Sequence, residues 1–205
     1  IQKEGVSHII PCLRQQVQKK GSEACYYSLS DFIMPADTQK TDYIGVFTVT
    51  AGKEIENRIE YYKQQDDNYN ALLLQSLSDR IAEAATELLH YRVRKEIWGY
   101  SPNETATVEN LLKEHYQGIR PAIGYPSLPD QSLAFDIDKL LGFDQIDVSL
   151  TENGAMKPNS TVSGIMIAHP QSAYFHIGQI DMEQRAEYCK KRNFSIEDSY
   201  KWLSV

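Results

Sequence analysis

Positive charge is in short supply: 21 Lys and Arg against 28 Asp and Glu leave a formal net charge of −7 over 205 residues. A chain so biased makes a poor partner for phosphate backbones, and nucleic acid is set aside. Long apolar runs are also missing. The best of them, Ala71 to Leu74 and Ile165 to Ala168, fall far short of the roughly 20 residues that cross a bilayer, so no membrane partner is expected. Cys12, Cys25 and Cys189 are odd in number and lack CxxC spacing, which argues against a disulfide framework or a zinc cage and points to a reducing compartment, the cytoplasm. No two of the 11 glycines sit two positions apart, so neither a dinucleotide fingerprint nor a phosphate-binding P-loop is available. The five histidines form no HExxH or other close metal pattern, and no GxSxG elbow occurs; no metal site and no catalytic nucleophile or base is nominated. The N-terminus starts at Ile1 without a signal-peptide stretch and reads as a fragment or a processed chain.

What is present describes one packed domain over 1–205: 41% hydrophobic and 24% charged residues, with 13 tyrosines. Residues 1–20 hold a helix-favouring segment around Leu13 to Val17 that ends at Gly21. Ala24 to Ser28 and Tyr43 to Val49 are rich in aromatic and β-branched residues and read as a hairpin pair of strands. From Asp66, the residues Tyr69, Leu72, Leu73, Leu77, Ile81, Leu88 and Leu89 recur at helical steps up to Gly99, the pattern of one long amphipathic helix. Further helices are predicted from Thr107 to Tyr116, closed by Gly118, and from near Asp130 to Gly142. Thr161 to Ala168 and Ala173 to Ile180 look like a second hairpin. Two short helices finish the chain, Met182 to Arg192 and Ile196 to Leu203, the last capped by Ser195 with Asp198. Strands and helices fall in blocks, which predicts an α+β fold, a largely antiparallel twisted sheet flanked by helices.

The segment from Gly118 to Asp130 stands apart, because Pro121, Pro126 and Pro129 exclude a helix and hold Arg120 on a stiff loop. A guanidinium there can grip a carboxylate through two hydrogen bonds, and the amides of Ala122, Ile123, Gly124 and Tyr125 form a candidate donor cluster beside it. Tyr125 can lie against a cation or a flat ring. The set suits a ligand with a carboxylate, an aromatic base and a positive centre; the other reading is a proline-rich connector whose Arg120 makes a structural ion pair. Asp79, Glu83 and Glu87 repeat at four-residue steps on the long helix. They are either a solvated stripe or, with Glu114, carboxylates that face the Arg120 loop. Tyr174 and Phe175 point to opposite faces of any strand that carries them, so at most one ring stacks on a ligand.

Arg120-Pro-Ala-Ile-Gly-Tyr-Pro-Ser-Leu-Pro-Asp130 resembles the RPAxGYPxxP signature of the activation domain of cobalamin-dependent methionine synthase. Asp42 to Thr50, Asp79 to Ala84, Arg92 to Tyr100, Glu114 to Ile119, Leu150 to Glu152, Val162 to Gly164 and Tyr174 to Ile180 resemble the same family in order. Gln131 stands where that family usually has His. The resemblance implies a module that binds S-adenosylmethionine at the C-terminal end of a larger cytoplasmic methyltransferase and reactivates oxidised cobalamin by reductive methylation, the module itself not being catalytic alone. It implies that Arg120 grips the methionine carboxylate, that Ala122, Gly124, Tyr125, Tyr174 and Phe175 line the ligand, and that Glu83 and Glu114 lie near it. Cobalamin would sit in a neighbouring domain, on the same or a separate chain, and zinc elsewhere in the full enzyme. Flavodoxin or a similar reductase would supply the electron. The resemblance also implies a further N-terminal segment that supplies an acidic ligand, for which no counterpart is found before Gly5. Two rival readings are a docking module for the cobalamin domain and reductase without functional ligand occupancy, and an independent enzyme acting on another acceptor.

Overall fold

The computed structural model describes residues 1–3, 5–17, 25–105 and 107–203. Its elements are β1 (Gln2–Lys3), β2 (Val6–Ser7), β3 (Gly45–Thr50), α1 (Lys53–Gln64), α2 (Asn68–Arg92), α3 (Val108–Leu112), α4 (Leu133–Leu141), β4 (Ser149–Leu150), β5 (Met156–Lys157), β6 (Thr161–Met166), α5 (Met182–Arg192) and α6 (Ile196–Trp202). The strands pair antiparallel as β1 with β2, β3 with β6 and β4 with β5, so the α+β class holds. Helix ends follow their sequence signals. Asp67, Asp181 and Ser195 accept from the amides of Asn70, Gln184 and Asp198 and so cap α2, α5 and α6, and Gly142 closes α4 at φ +70°.

The central ladder joins distant segments. In β3 against β6, Gly45 faces Met166 and Thr50 faces Thr161. On the other edge of β6 lies the proline segment: Ile119 exchanges two backbone hydrogen bonds of 2.9 Å with Ile167, the Pro121 carbonyl accepts from Ile165, and Ile123 donates to Ser163. Gly164 permits this approach, because a Cβ there would run into the Pro121 carbonyl and lie 2.8 Å from the Ala122 Cα. Ile119, Ile123 and Leu128 then enter the main core with Leu133, Ile137, Phe143, Ile165 and Ile167. Each such burial contributes roughly 1.5–3 kcal/mol, so the loop is anchored by its own apolar residues.

Several expectations are corrected. Arg14 and Ser28 form an isolated antiparallel bridge, Gln15 donates to Tyr27, and Gln16 donates to Ile177; the stretch Leu13 to Val17 is therefore extended, held by long-range backbone pairing rather than by a helix. The segment's predicted end, Gly21, and the start of the first predicted strand, Ala24, lie outside the described residues. Among the described residues neither hairpin forms: β3 and β6 pair with each other, and 173–180 carries no strand but is tied by Gln16 and by the Ile177 amide to Pro126. The helix from Thr107 is cut to Val108–Leu112, because Lys113 leaves helical geometry and Glu114 turns to φ +54°. Gly118 is no helix cap; it passes so close to Tyr100 and Ile167 that a Cβ would meet the Tyr100 hydroxyl at 2.6 Å. Helix α1 went unpredicted although Ile55, Ile59 and Tyr62 are spaced for it.

The long helix is where expected, but the face it buries is not. Ala71, Ser78, Ala82, Thr86 and His90 are buried, while Leu72, Leu77 and Leu88 are 69%, 54% and 59% exposed. Small residues let α2 lie close against α1 and the β3–β6 ladder, and leucines are displaced to the outside. After Arg92 the chain widens into a π-turn over Val93–Ile97, with the amides of Trp98 and Gly99 both donating to Val93. This turns Arg94 fully inward.

Candidate functional site

A cleft of about 440 Å³ opens beside the proline segment, lined by Glu83, Glu114, Arg120, Tyr125, Tyr174 and Phe175 among others. Six of the eight predicted site residues therefore converge on one cavity. Ala122 and Gly124 do not line it. Ala122 is buried against Gly164 in the ladder, and Gly124 sits at φ +83° donating to the Leu128 carbonyl. The expected cluster of free amides is corrected too: Ile123 donates to Ser163, Gly124 to Leu128 and Tyr125 to Ala122. The Leu128 amide in turn donates to the Tyr125 carbonyl and closes a turn from Tyr125 to Leu128 with Pro126 at its second position, so the amides build the loop's shape.

Arg120 is projected because its neighbours in sequence are held. Ile119 and Pro121 are buried on the sheet side, which leaves the side chain of residue 120 on the opposite face. Its own amide donates to the Tyr174 hydroxyl at 2.9 Å. Across the cleft α2 supplies the acids. The Tyr125 hydroxyl donates to Glu83 at 2.7 Å, and Arg120 Nε and Nη2 donate to a single oxygen of Glu87, at 3.3 and 2.9 Å. Asp79, the third member of the predicted stripe, goes elsewhere and accepts from Ser160. Phe175 packs against the core with Tyr27 while still reaching the cleft wall, and Tyr174 is the more exposed of the two rings.

Behind Glu87 lies a polar cluster that sequence reasoning missed. Arg94, with no exposed surface, makes a two-point pair with Glu104 at 2.6 and 2.7 Å, lies 3.9 Å over the Tyr116 ring and places Nη1 3.8 Å from Glu87 Oε1. His90 packs edge-on to Tyr116 and reaches the Tyr100 hydroxyl at 3.3 Å. Burial, reinforced by the positive charges of Arg94 and Arg120, pulls its pKa down to about 3, so the ring is neutral under ordinary conditions. Burial and the hydrogen bond to Glu83 push the Tyr125 phenol up to about 12, and burial raises Tyr174 and Tyr116. The phenols are thus neutral hydrogen-bonding groups. Part of the signal is in the spacing: Glu87 and His90 lie three residues apart on one face of α2, whereas Arg94 falls in the π-turn that follows.

Chemically, the cleft offers one guanidinium, the two carboxylates of Glu83 and Glu114, the rings of Tyr125, Tyr174 and Phe175, and the His176 imidazole. That suits a zwitterionic ligand with a carboxylate, an ammonium or other cation, and a flat ring. Among the described residues no group of three or more His, Cys, Asp and Glu is placed to hold a metal ion, and no helix is long and apolar enough to cross a membrane.

The family model described as the activation domain of vitamin B12 dependent methionine synthase matches residues 2–193. A solved structure titled as the MetH reactivation domain bound to AdoHcy is similar over 99% of this chain and 64% of that one, at 40% identity and a TM-score of 0.88. The chain thus spans a little under two thirds of that relative's length.

Proposed function

The chain belongs to the family of the activation domain of vitamin B12 dependent methionine synthase, and from that premise we propose that its cleft binds S-adenosylmethionine and presents it for the reductive methylation of oxidised cobalamin. The observation that carries this is Arg120, held at the cleft wall by flanking core residues with Glu83 and Glu114 facing the same space. Arg120 takes the methionine carboxylate, Glu83 and Glu114 take the ammonium and ribose hydroxyls, and Tyr125, Tyr174 and Phe175 border the adenine. Ala122 and Gly124 set the curvature of the loop. Support comes from the relative of matching fold whose title records AdoHcy as bound.

The bound donor supplies the methyl group. What this chain's residues contribute is binding and orientation, with the cleft open enough for an acceptor carried by another domain to approach. A cobalamin-binding domain and a flavodoxin-like reductase are the partners this role requires. Calorimetric titration with S-adenosylhomocysteine tests the reading. Arg120→Met should weaken binding about ten- to a hundredfold, the loss of a charge-assisted pair, and equal affinities would overturn the assignment.

One observation favours a second reading. Arg120 already has a carboxylate partner in Glu87, as in a docking module that never takes a ligand. Absence of any ligand-dependent rise in Tm, together with retained binding to the cobalamin domain, would select it.

A further inference from the structure

Glu104, Arg94, Glu87 and Arg120 form a chain of alternating charge that runs from the protein interior to the cleft. Glu104 holds Arg94 through two hydrogen bonds. Arg94 Nη1 faces Glu87 Oε1 at 3.8 Å, each of these two atoms being buried without a hydrogen-bond partner. Glu87 Oε2 holds Arg120. Two cations and two anions balance, and the next place in the alternation, beyond Arg120, is an anion's.

The geometry at Arg120 says which edge is left for it. A guanidinium has a side edge, Nε with Nη2, and an end edge, Nη1 with Nη2. Glu87 engages only the side edge, and with one oxygen. Nη1 makes no hydrogen bond among the described residues and is not among the buried atoms that lack one, so it faces accessible space in the cleft that Arg120 lines. We propose that Glu87 is a positioning residue: by holding the side edge of Arg120 it turns the end edge toward the cleft and makes the site selective for ligands that carry a carboxylate. The inference rests on the ligand reading above and adds a residue to it. Arg94 is what makes the arrangement workable. It supplies Glu87 with a second, buried cation, so Glu87 orients Arg120 without cancelling its charge toward an incoming anion.

The test is a titration of the chain and its variants with two probes, S-adenosylhomocysteine and methylthioadenosine, which shares the nucleoside thioether but has no amino-acid tail. Glu87→Ala should weaken the first by about tenfold, the scale of a mispositioned charge-assisted hydrogen bond, and leave the second within about twofold. Glu87→Gln, whose amide oxygen still accepts from Nε and Nη2, should recover most of that loss. The double variant with Arg120→Met should bind no more weakly than Arg120→Met alone, since the two residues act through one contact. If Glu87→Ala does not fold, Glu87→Met fills the space without an acceptor and carries the same expectations. The proposal is overturned if removing Glu87 leaves the first probe unchanged or tightens it, if both probes weaken alike, or if the glutamine variant is as poor as the alanine one. If Arg120→Met itself leaves S-adenosylhomocysteine binding unchanged, the ligand reading falls; if Arg120→Met weakens binding and Glu87→Ala does not, only the role of Glu87 falls.

Discussion

The proline segment is held at each end by an arginine, and the two are satisfied to different degrees. Arg192, from α5, is the more fully engaged, with two carboxylates and a hydroxyl around it, although its buried Nε makes no hydrogen bond. Its Nε lies 3.2 Å from Asp130, Nη1 lies 2.6 Å from Asp136, Nη2 donates to Ser132 at 2.7 Å, and the guanidinium sits over the Phe194 ring. Asp130 is buried and also accepts from Tyr188 and Ser132. Arg120, ten residues upstream, has one partner oxygen and one nitrogen turned to open space. The same residue type therefore does two things around one loop: enclosed between two carboxylates it fastens the C-terminal helices to the core, and where an accessible nitrogen is left over it is the group proposed to take a ligand's carboxylate.

The largest expected effect lies at the closed end. Arg192→Met leaves Asp130 buried without its cation and should lower folding stability by about 3–5 kcal/mol, read by chemical denaturation, with little change in ligand affinity of the folded fraction; a loss below about 1 kcal/mol would erase the distinction between the two ends. The next effect is one of pH. At the open end His90 is buried beside two arginines, and its folded-state pKa near 3 lies below the unfolded value of 6.5. The unfolded chain takes up the proton first, so the stability linked to His90 is whole above pH 6.5 and drains as pH falls toward 3. Over the first two pH units that drain should amount to about 2–3 kcal/mol. His90→Gln should flatten this acid limb in denaturation midpoints measured from neutral pH to about 4.5, and an unchanged slope would place the proton elsewhere.

A smaller effect is expected where the open end meets solvent. Tyr125→Phe removes the hydrogen bond to Glu83 at the cleft rim and should cost about 1 kcal/mol or less, close to fivefold in ligand affinity, because the hydroxyl is partly exposed. The smallest is on the outward face of α2, where Leu77→Gln should stay within about 0.5 kcal/mol, whereas Ala82→Leu on the buried face of the same helix should cost about 1–3 kcal/mol through overpacking. Equal costs would mean the two faces are wrongly assigned.

The residues that announce themselves by local chemistry were readable from the sequence. Gly142 and Ser195 end and begin helices by bonds to residues a few positions away, and the prolines of the loop fix its stiffness whatever surrounds it. The cleft set of Glu83, Glu114, Arg120, Tyr125, Tyr174 and Phe175 followed from the loop and from the family resemblance. What did not follow depends on long-range pairing. The match of Gly45 to Met166 spans the whole chain between the two strands, and no periodicity within either strand encodes its partner. The face of α2 was misjudged for a related reason: an apolar stripe says that a helix is amphipathic, but the close approach of Ala82 and Ser78 to their neighbours, which decides what is covered, belongs to the packing. Arg94 turns inward because of a π-turn, a matter of backbone hydrogen bonding that residue types alone do not specify.

The most direct test of the central claim is a crystal structure of the chain with S-adenosylhomocysteine bound. The account predicts the ligand's carboxylate within about 3 Å of Arg120 Nη1, with Glu87 still on the side edge of the same guanidinium. A carboxylate held away from Arg120, or an Arg120 that gives up Glu87 to reach it, would contradict it.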